Sequence, residues 1–125
     1  MNSESDEKKE EPVYVGFWKT SRFNFNDLWK DYPEKNSAKE DQTDLIYRLQ
    51  FLERYSPNIF YTDYSKCRIC NSINGCNEYH YKNFIWPGGY IHYIKDHNVN
   101  IDERLKQFLL NIDITKPIIN DDNYF

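Results

Sequence analysis

KCRICNSINGCNEYHYKNFIWPGGYIHYIKDHNV, residues 66–99, holds every cysteine and every histidine of the 125-residue chain. Cys67 and Cys70 form a C-x2-C pair, the spacing at which a tight turn points two thiolates at one ion. Asn74-Gly75 marks a turn. Glu78–Tyr81 and Phe84–Trp86, joined by Lys82-Asn83, read as a β-hairpin. Trp86-Pro87-Gly88-Gly89 breaks the second strand, and Tyr90–His97 reads as a short helix. His92 and His97 stand as H-x4-H, inside the H-x3-5-H window of finger-type sites. The helical advance between them is ~500°, a net ~140°. Both rings therefore meet one ion only if the last turn loosens, just before Asn98.

Two soft thiolates and two imidazoles select zinc over magnesium or calcium, which take oxygen ligands. The favoured set is thus Cys67, Cys70, His92 and His97 around a structural, tetrahedral zinc. Twenty-one residues separate Cys70 from His92, against about 12 in an ordinary two-Cys, two-His finger; a hairpin with longer arms absorbs the excess. A compact set, Cys67, Cys70, Cys76 and His80, stays open. Cys76 directly follows the Asn-Gly turn, however, and His80 lies on an alternating strand where it can face solvent.

Working upstream, Ile59–Thr62 is a short strand candidate that Ser56-Pro57-Asn58 separates from a helix, because proline disfavours helical geometry in the residue before it. Leu45, Ile46, Leu49, Leu52 and Tyr55 recur with helical spacing and share one face. Asp44 and Arg48 add an i,i+4 pair. Ser37 and Glu40 form an S-x-x-E capping box at the start. Val13–Lys19, rich in β-branched and aromatic residues, predicts a strand. Between them, residues 20–36 show no period, and Phe23, Phe25, Leu28 and Trp29 are expected to pin an irregular loop to the core. Downstream, Asn100 or Asp102 can cap a last helix bearing Leu105, Phe108 and Leu109 on one face. Residues 116–125 form a tail that either adds a short strand or frays.

The run CRIC, NG, E and IWPGGYIHYIKDHNV resembles an uncharacterised family of small bacterial proteins. In that family a CRxC knuckle precedes an NG turn, an acidic strand residue and a WPxGxxHYxxxHxV helix. The likeness covers about residues 13–110, weakly outside the central block. By position it implies that Cys67, Cys70, His92 and His97 are the ligands. Cys76 falls where the family has a small polar residue, which weakens the compact set. Gly89-Tyr90 replaces Gly-Leu and Asp102 replaces proline; neither change touches an implied ligand. The resemblance implies a fold and a metal, and no activity.

The formal net charge is −4, and residues 1–11 carry −3 of it. That segment has no apolar residue after Met1 and is expected to be a disordered acidic tail. The near-neutral remainder argues against a chain that coats nucleic acid or an anionic membrane, since both need a positive field. Hydrophobic residues make up 39%, below the usual ~45–50%; eleven tyrosines and an aromatic share of 18% compensate, because aromatics bury large areas. No apolar run approaches the ~18 residues of a membrane span. No secretory signal is visible. Three cysteines fit a disulfide framework poorly and a metal site in a reducing compartment better. Heavy use of Asn, Ile, Tyr and Lys fits an AT-rich genome, as in some amoebae or large DNA viruses.

Other residues carry less. Trp86, Tyr90, Ile91, Tyr93 and Ile94 suit core packing better than base stacking, and the helix start lacks the polar and basic side chains of a DNA-reading finger. Lys66, Arg68, Lys82 and Lys95 read as a solvated surface. Asp96-His97-Asn98 lacks the downstream histidine of a His-Asn-His nuclease. Glu78 reads as a hairpin residue or a support behind a ligand, not as a general acid, because four ligands leave zinc no open position. Gly88 and Gly89 offer close backbone approach and free dihedral angles.

The sequence therefore predicts an α+β fold with one zinc-binding domain over residues 12–115. A strand and one longer helix precede a zinc-ribbon-like ββα unit made of knuckle, hairpin and short helix. The expected function is a non-catalytic, intracellular protein-interaction module whose partner is a protein and not a membrane; it would lie in the cytoplasm, nucleus or a virion. The alternative is a nucleic-acid-associated zinc-finger protein.

Overall fold

The computed structural model describes residues 11–18, 33, 35–36 and 40–118. The acidic segment 1–10, the aromatic stretch 19–32, Ser37 of the expected capping box and residues 119–125 lie outside the described residues. The order is β1 (Val13–Tyr14), α1 (Thr43–Arg54), β2 (Asn58–Phe60), β3 (Asn77–Tyr81), β4 (Phe84–Pro87), α2 (Tyr90–His97) and α3 (Glu103–Leu110). This is a small α+β arrangement with a four-stranded mixed sheet and three helices.

The sheet runs β1-β4-β3-β2. β3 and β4 form the expected hairpin, with Tyr81 opposite Phe84 and Lys82 taking a φ of 53° in the two-residue link. β2 adds antiparallel to β3, two residues shorter at its C-terminal end than the sequence suggests. β1 lies parallel to β4 and holds two residues, not the seven expected. Gly16 explains the early stop. Its φ is +85°, and a Cβ there would sit 2.6 Å from the Tyr90 ring, so the chain turns out of the sheet where it passes that tyrosine.

α1 begins at Thr43, later than the Ser37–Glu40 signal implied. Asp41 accepts hydrogen bonds from the Thr43 amide and hydroxyl at 3.0 and 2.6 Å. Gln42, at the N-cap, makes no side-chain cap bond, because its carboxamide is used elsewhere. Its Nε2 donates to the Val99 carbonyl and its Oε1 accepts from the Ile101 amide, both at 3.0 Å. That pair of bonds ties the helix start to the segment between α2 and α3. At the other end of the packed pair, Arg48 donates to the Leu109 and Ile112 carbonyls, a cation placed where the α3 dipole is negative. Asp102 caps α3 through the Arg104 amide.

The core lies between the sheet and the helices. Leu49, Leu52, Trp86, Leu105 and Leu109 are fully buried, with Val15, Tyr90, Val99 and Cys67 beside them. Each buried aliphatic contributes about 1.5–3 kcal/mol relative to exposure. The Trp86 indole donates to Glu53 at 3.0 Å and stacks on Tyr79. Tyr90, Tyr93 and Ile94 turn into this core from α2, and Ile91 packs half-buried against it. From Asn111 to Ile118 the chain forms turns and no strand, and Ile118 packs on the core. No helix among the described residues is long and apolar enough to cross a membrane.

Candidate metal centre

A second small hairpin carries the knuckle. Lys66 pairs with Ile73, and the Ser65 and Asn74 amides close it below by bonding to Gly75 and Ser65 carbonyls at 2.9 and 2.8 Å. The chain between Lys66 and Ile73 turns tightly: the Cys67 amide donates to Ser72 and the Asn71 amide to Cys67. Asn71 takes a φ of 63° to allow it. The Ile69 and Cys70 amides both point at the Cys67 sulfur, at 3.3 and 3.5 Å. Cys67 is 2% exposed, whereas Cys70 reaches the surface.

α2 supplies the other half. Gly89 is its N-cap and Asn98 its C-cap, with a φ of 53°; the Val99 amide then bonds back to Tyr93, a left-handed helix ending. His97 is still helical. The left-handed residue follows it instead of preceding it, so side-chain reach, and not an unwound turn, closes the angular gap between the imidazoles. Their ring centres lie 4.9 Å apart at 81°.

Two hydrogen bonds hold the knuckle over this helix. The Tyr93 hydroxyl accepts from the Arg68 amide at 2.7 Å. Asn74 donates to the Gly89 carbonyl at 3.2 Å. A Cβ on Gly88 or Gly89 would overlap the carboxamide of Asn77 or Asn74 respectively. Both glycines thus serve close approach; neither has a positive φ, so the conformational freedom the sequence suggested goes unused.

One donor atom from each of Cys67, Cys70, His92 and His97 then falls within 4.8 Å of the other three. This is the long-range set. Cys76 and His80 stand outside it; His80 pairs instead with Glu78 on β3, at 2.8 Å. Glu78 therefore supports His80 and not a ligand of the four-residue group. Arg68 bonds to the Lys66 and Trp18 carbonyls, which engages its guanidinium with backbone.

The donor chemistry fits a cation. Asp96 lies 2.9 Å from His92 Nδ1, which leaves Nε2, 3.5 Å from the Cys70 sulfur, as the ring's free lone pair. His97 Nε2 is buried and, among the described residues, is the one buried side-chain nitrogen or oxygen without a hydrogen-bond partner. Leaving such an atom unpaired costs about 1–3 kcal/mol. Hydrogen bonds from the Ser72 hydroxyl and amide, then the imidazoles of His97 and His92 beside it, pull the Cys70 thiol down to about 6. Thiolate character is what a metal requires of cysteine.

No protein-family model, curated protein or solved structure matches this chain. The site therefore rests on its own chemistry. The spacing identified the four residues. It missed Asp96, although an acid four residues after His92 on one helix face is a legible sign. Ser72 and the Tyr93 hydroxyl carried no such signal.

Proposed function

We propose that the protein is a small zinc-stabilised, non-catalytic protein-interaction module of the cell interior. The observation that carries the metal is the group itself: one donor atom from each of two thiols and two imidazoles within 4.8 Å of one another, with His97 Nε2 buried and lacking a hydrogen-bond partner among the described residues. Zinc bonds of ~2.3 Å to sulfur and ~2.0–2.1 Å to nitrogen put tetrahedral donors about 3.3–3.8 Å apart. The Cys70–His92 separation of 3.5 Å lies in that range. The resemblance noted in the sequence points to the same four residues.

Four protein donors complete a tetrahedral shell, which supports a structural and not a catalytic ion. When bound, zinc would supply crosslinking. Cys67 and Cys70 lie on the knuckle and His92 and His97 on α2, so the order of knuckle, hairpin and helix works as a zinc-ribbon-like unit. The core between them is small, and binding energy of the ion adds to folding energy. The test is elemental analysis of protein purified without chelator, with the spectrum of the cobalt-substituted form. About one zinc per chain and a tetrahedral cobalt–thiolate spectrum are expected; metal-free folded protein refutes the reading.

A further inference from the structure

β2 is an edge strand. The Tyr61 amide donates to Cys76 and the Pro57 carbonyl accepts from His80, so residues 57, 59 and 61 direct their backbone groups at β3. By the two-residue period, Asn58, Phe60 and Thr62 direct theirs away from the sheet. Among the described residues nothing pairs with that outer side. Edges are ordinarily protected by charge, proline, a bulge or a cover. Here the stretch 58–62 is NIFYT, without charge or proline. Its side chains are apolar and open: Phe60 is 71% exposed, Tyr64 63%, Tyr61 51% and Ile59 45%.

We propose that this edge is a homodimer interface, in which β2 pairs antiparallel with β2 of a second copy about a twofold axis at Phe60. Two observations select a second copy as the occupant. An antiparallel edge is complementary to itself. Pairing centred on Phe60 exchanges both backbone bonds between the two Phe60 residues and sets Asn58 against Thr62 of the other copy, with no charge facing a like charge. The area suits a weak dimer. At ~150–250 Å² per aromatic side chain, the exposed parts of Phe60, Tyr61 and Tyr64 amount to about 300–450 Å² per copy. With Ile59, full coverage of these side chains comes to about 750–1,050 Å² for the pair, around the lower bound for a specific interface. A patch of this size gives a weak, concentration-dependent dimer. It extends one four-stranded sheet into an eight-stranded one and does not depend on the metal reading, since none of these residues is a proposed ligand.

The experiment is sedimentation equilibrium of the full chain as purified, from about 1 to 500 µM. The weight-average mass should rise from 15.2 kDa toward twice that value. Phe60→Lys sets two cations against each other on the axis and should raise the dissociation constant at least tenfold. Phe60→Pro removes the outward amide together with the ring and should do the same. Tyr47→Lys, an exposed position on α1, should leave the constant unchanged. Melting curves establish that each variant is folded. A single 15.2 kDa species at every concentration overturns the proposal, and so does a dimer that both Phe60 variants leave intact or that Tyr47→Lys disrupts.

Discussion

Glu53 should make the fold lose stability as pH rises toward neutrality. Its carboxyl lies at the end of α1, partly covered, with the Trp86 indole donating to it at 3.0 Å. Burial pushes its pKa up from 4.5 to about 7, and the indole bond opposes that shift without cancelling it. Between those two pH values the folded chain therefore holds a proton that the unfolded chain has released. Stability from this group is complete below about pH 4.5 and declines as pH rises through about 7. At 1.36 kcal/mol per pH unit the ceiling is about 3 kcal/mol, and remaining solvent contact reduces it to ~2 kcal/mol. For a domain whose net stability is on the order of 5–15 kcal/mol, that is a large fraction.

The assay must separate Glu53 from every other ionisable group of the chain. Urea unfolding of wild type and Glu53→Gln over about pH 5–8.5 does so, because both proteins carry the same other groups and their contribution cancels in the difference. Glutamine retains an acceptor for the indole and cannot ionise. The two proteins should be nearly equal at the acid end, and the variant should be more stable by ~2 kcal/mol at the alkaline end. A difference that stays flat with pH, or a wild type that gains on the variant as pH rises, would refute the burial argument.

Two further predictions concern the metal. His97→Ala or His92→Ala should reduce bound zinc well below one per chain and lower the melting temperature, while Cys76→Ser and His80→Gln should keep the metal; the opposite pattern in elemental analysis would transfer the site to the compact set. Asp96→Ala should weaken zinc binding ~10–100-fold in a competitive chelator titration, the usual cost of losing a carboxylate behind a ligating histidine.

What the sequence disclosed follows the reach of each signal. α2 runs over the expected Tyr90–His97 because its boundaries are local: Pro87-Gly88-Gly89 before it and a left-handed Asn98 after it. The Asp102 cap of α3 and the two-residue link between β3 and β4 are equally local. The start of α1 was misjudged because Gln42 bonds to Val99 and Ile101, more than fifty residues away. β1 was overextended because nothing near Gly16 announces the Tyr90 ring. The favoured grouping of Cys67, Cys70, His92 and His97 could be read from cysteine and histidine spacing, with a compact set left open beside it; the hairpin that presents the knuckle could not, since its pairing is almost wholly backbone to backbone.

That dependence on distant contact makes Gly89 the sharpest probe of how the two ligand pairs are brought together. Its φ of −88° is ordinary, so alanine there strains no backbone, and the local cost is only that of alanine in place of glycine at an N-cap. The obstacle is one side chain: the new Cβ would overlap the Asn74 carboxamide, which donates to the Gly89 carbonyl and holds the knuckle hairpin against α2. Gly89→Ala should therefore expel Asn74, lose that bond at about 0.5–1.5 kcal/mol, and weaken zinc binding by letting Cys67 and Cys70 move relative to His92 and His97. Asn74→Ala removes the same bond and leaves room for a methyl group. In that background, adding Gly89→Ala should cost only the N-cap preference of glycine over alanine. The expected coupling in the double-mutant cycle is thus about 1 kcal/mol in urea unfolding, with the same sign in zinc affinity. Additive effects would mean that Asn74 does not hold the hairpin to the helix. The Tyr93–Arg68 bond and the proposed metal would then have to hold the knuckle in place.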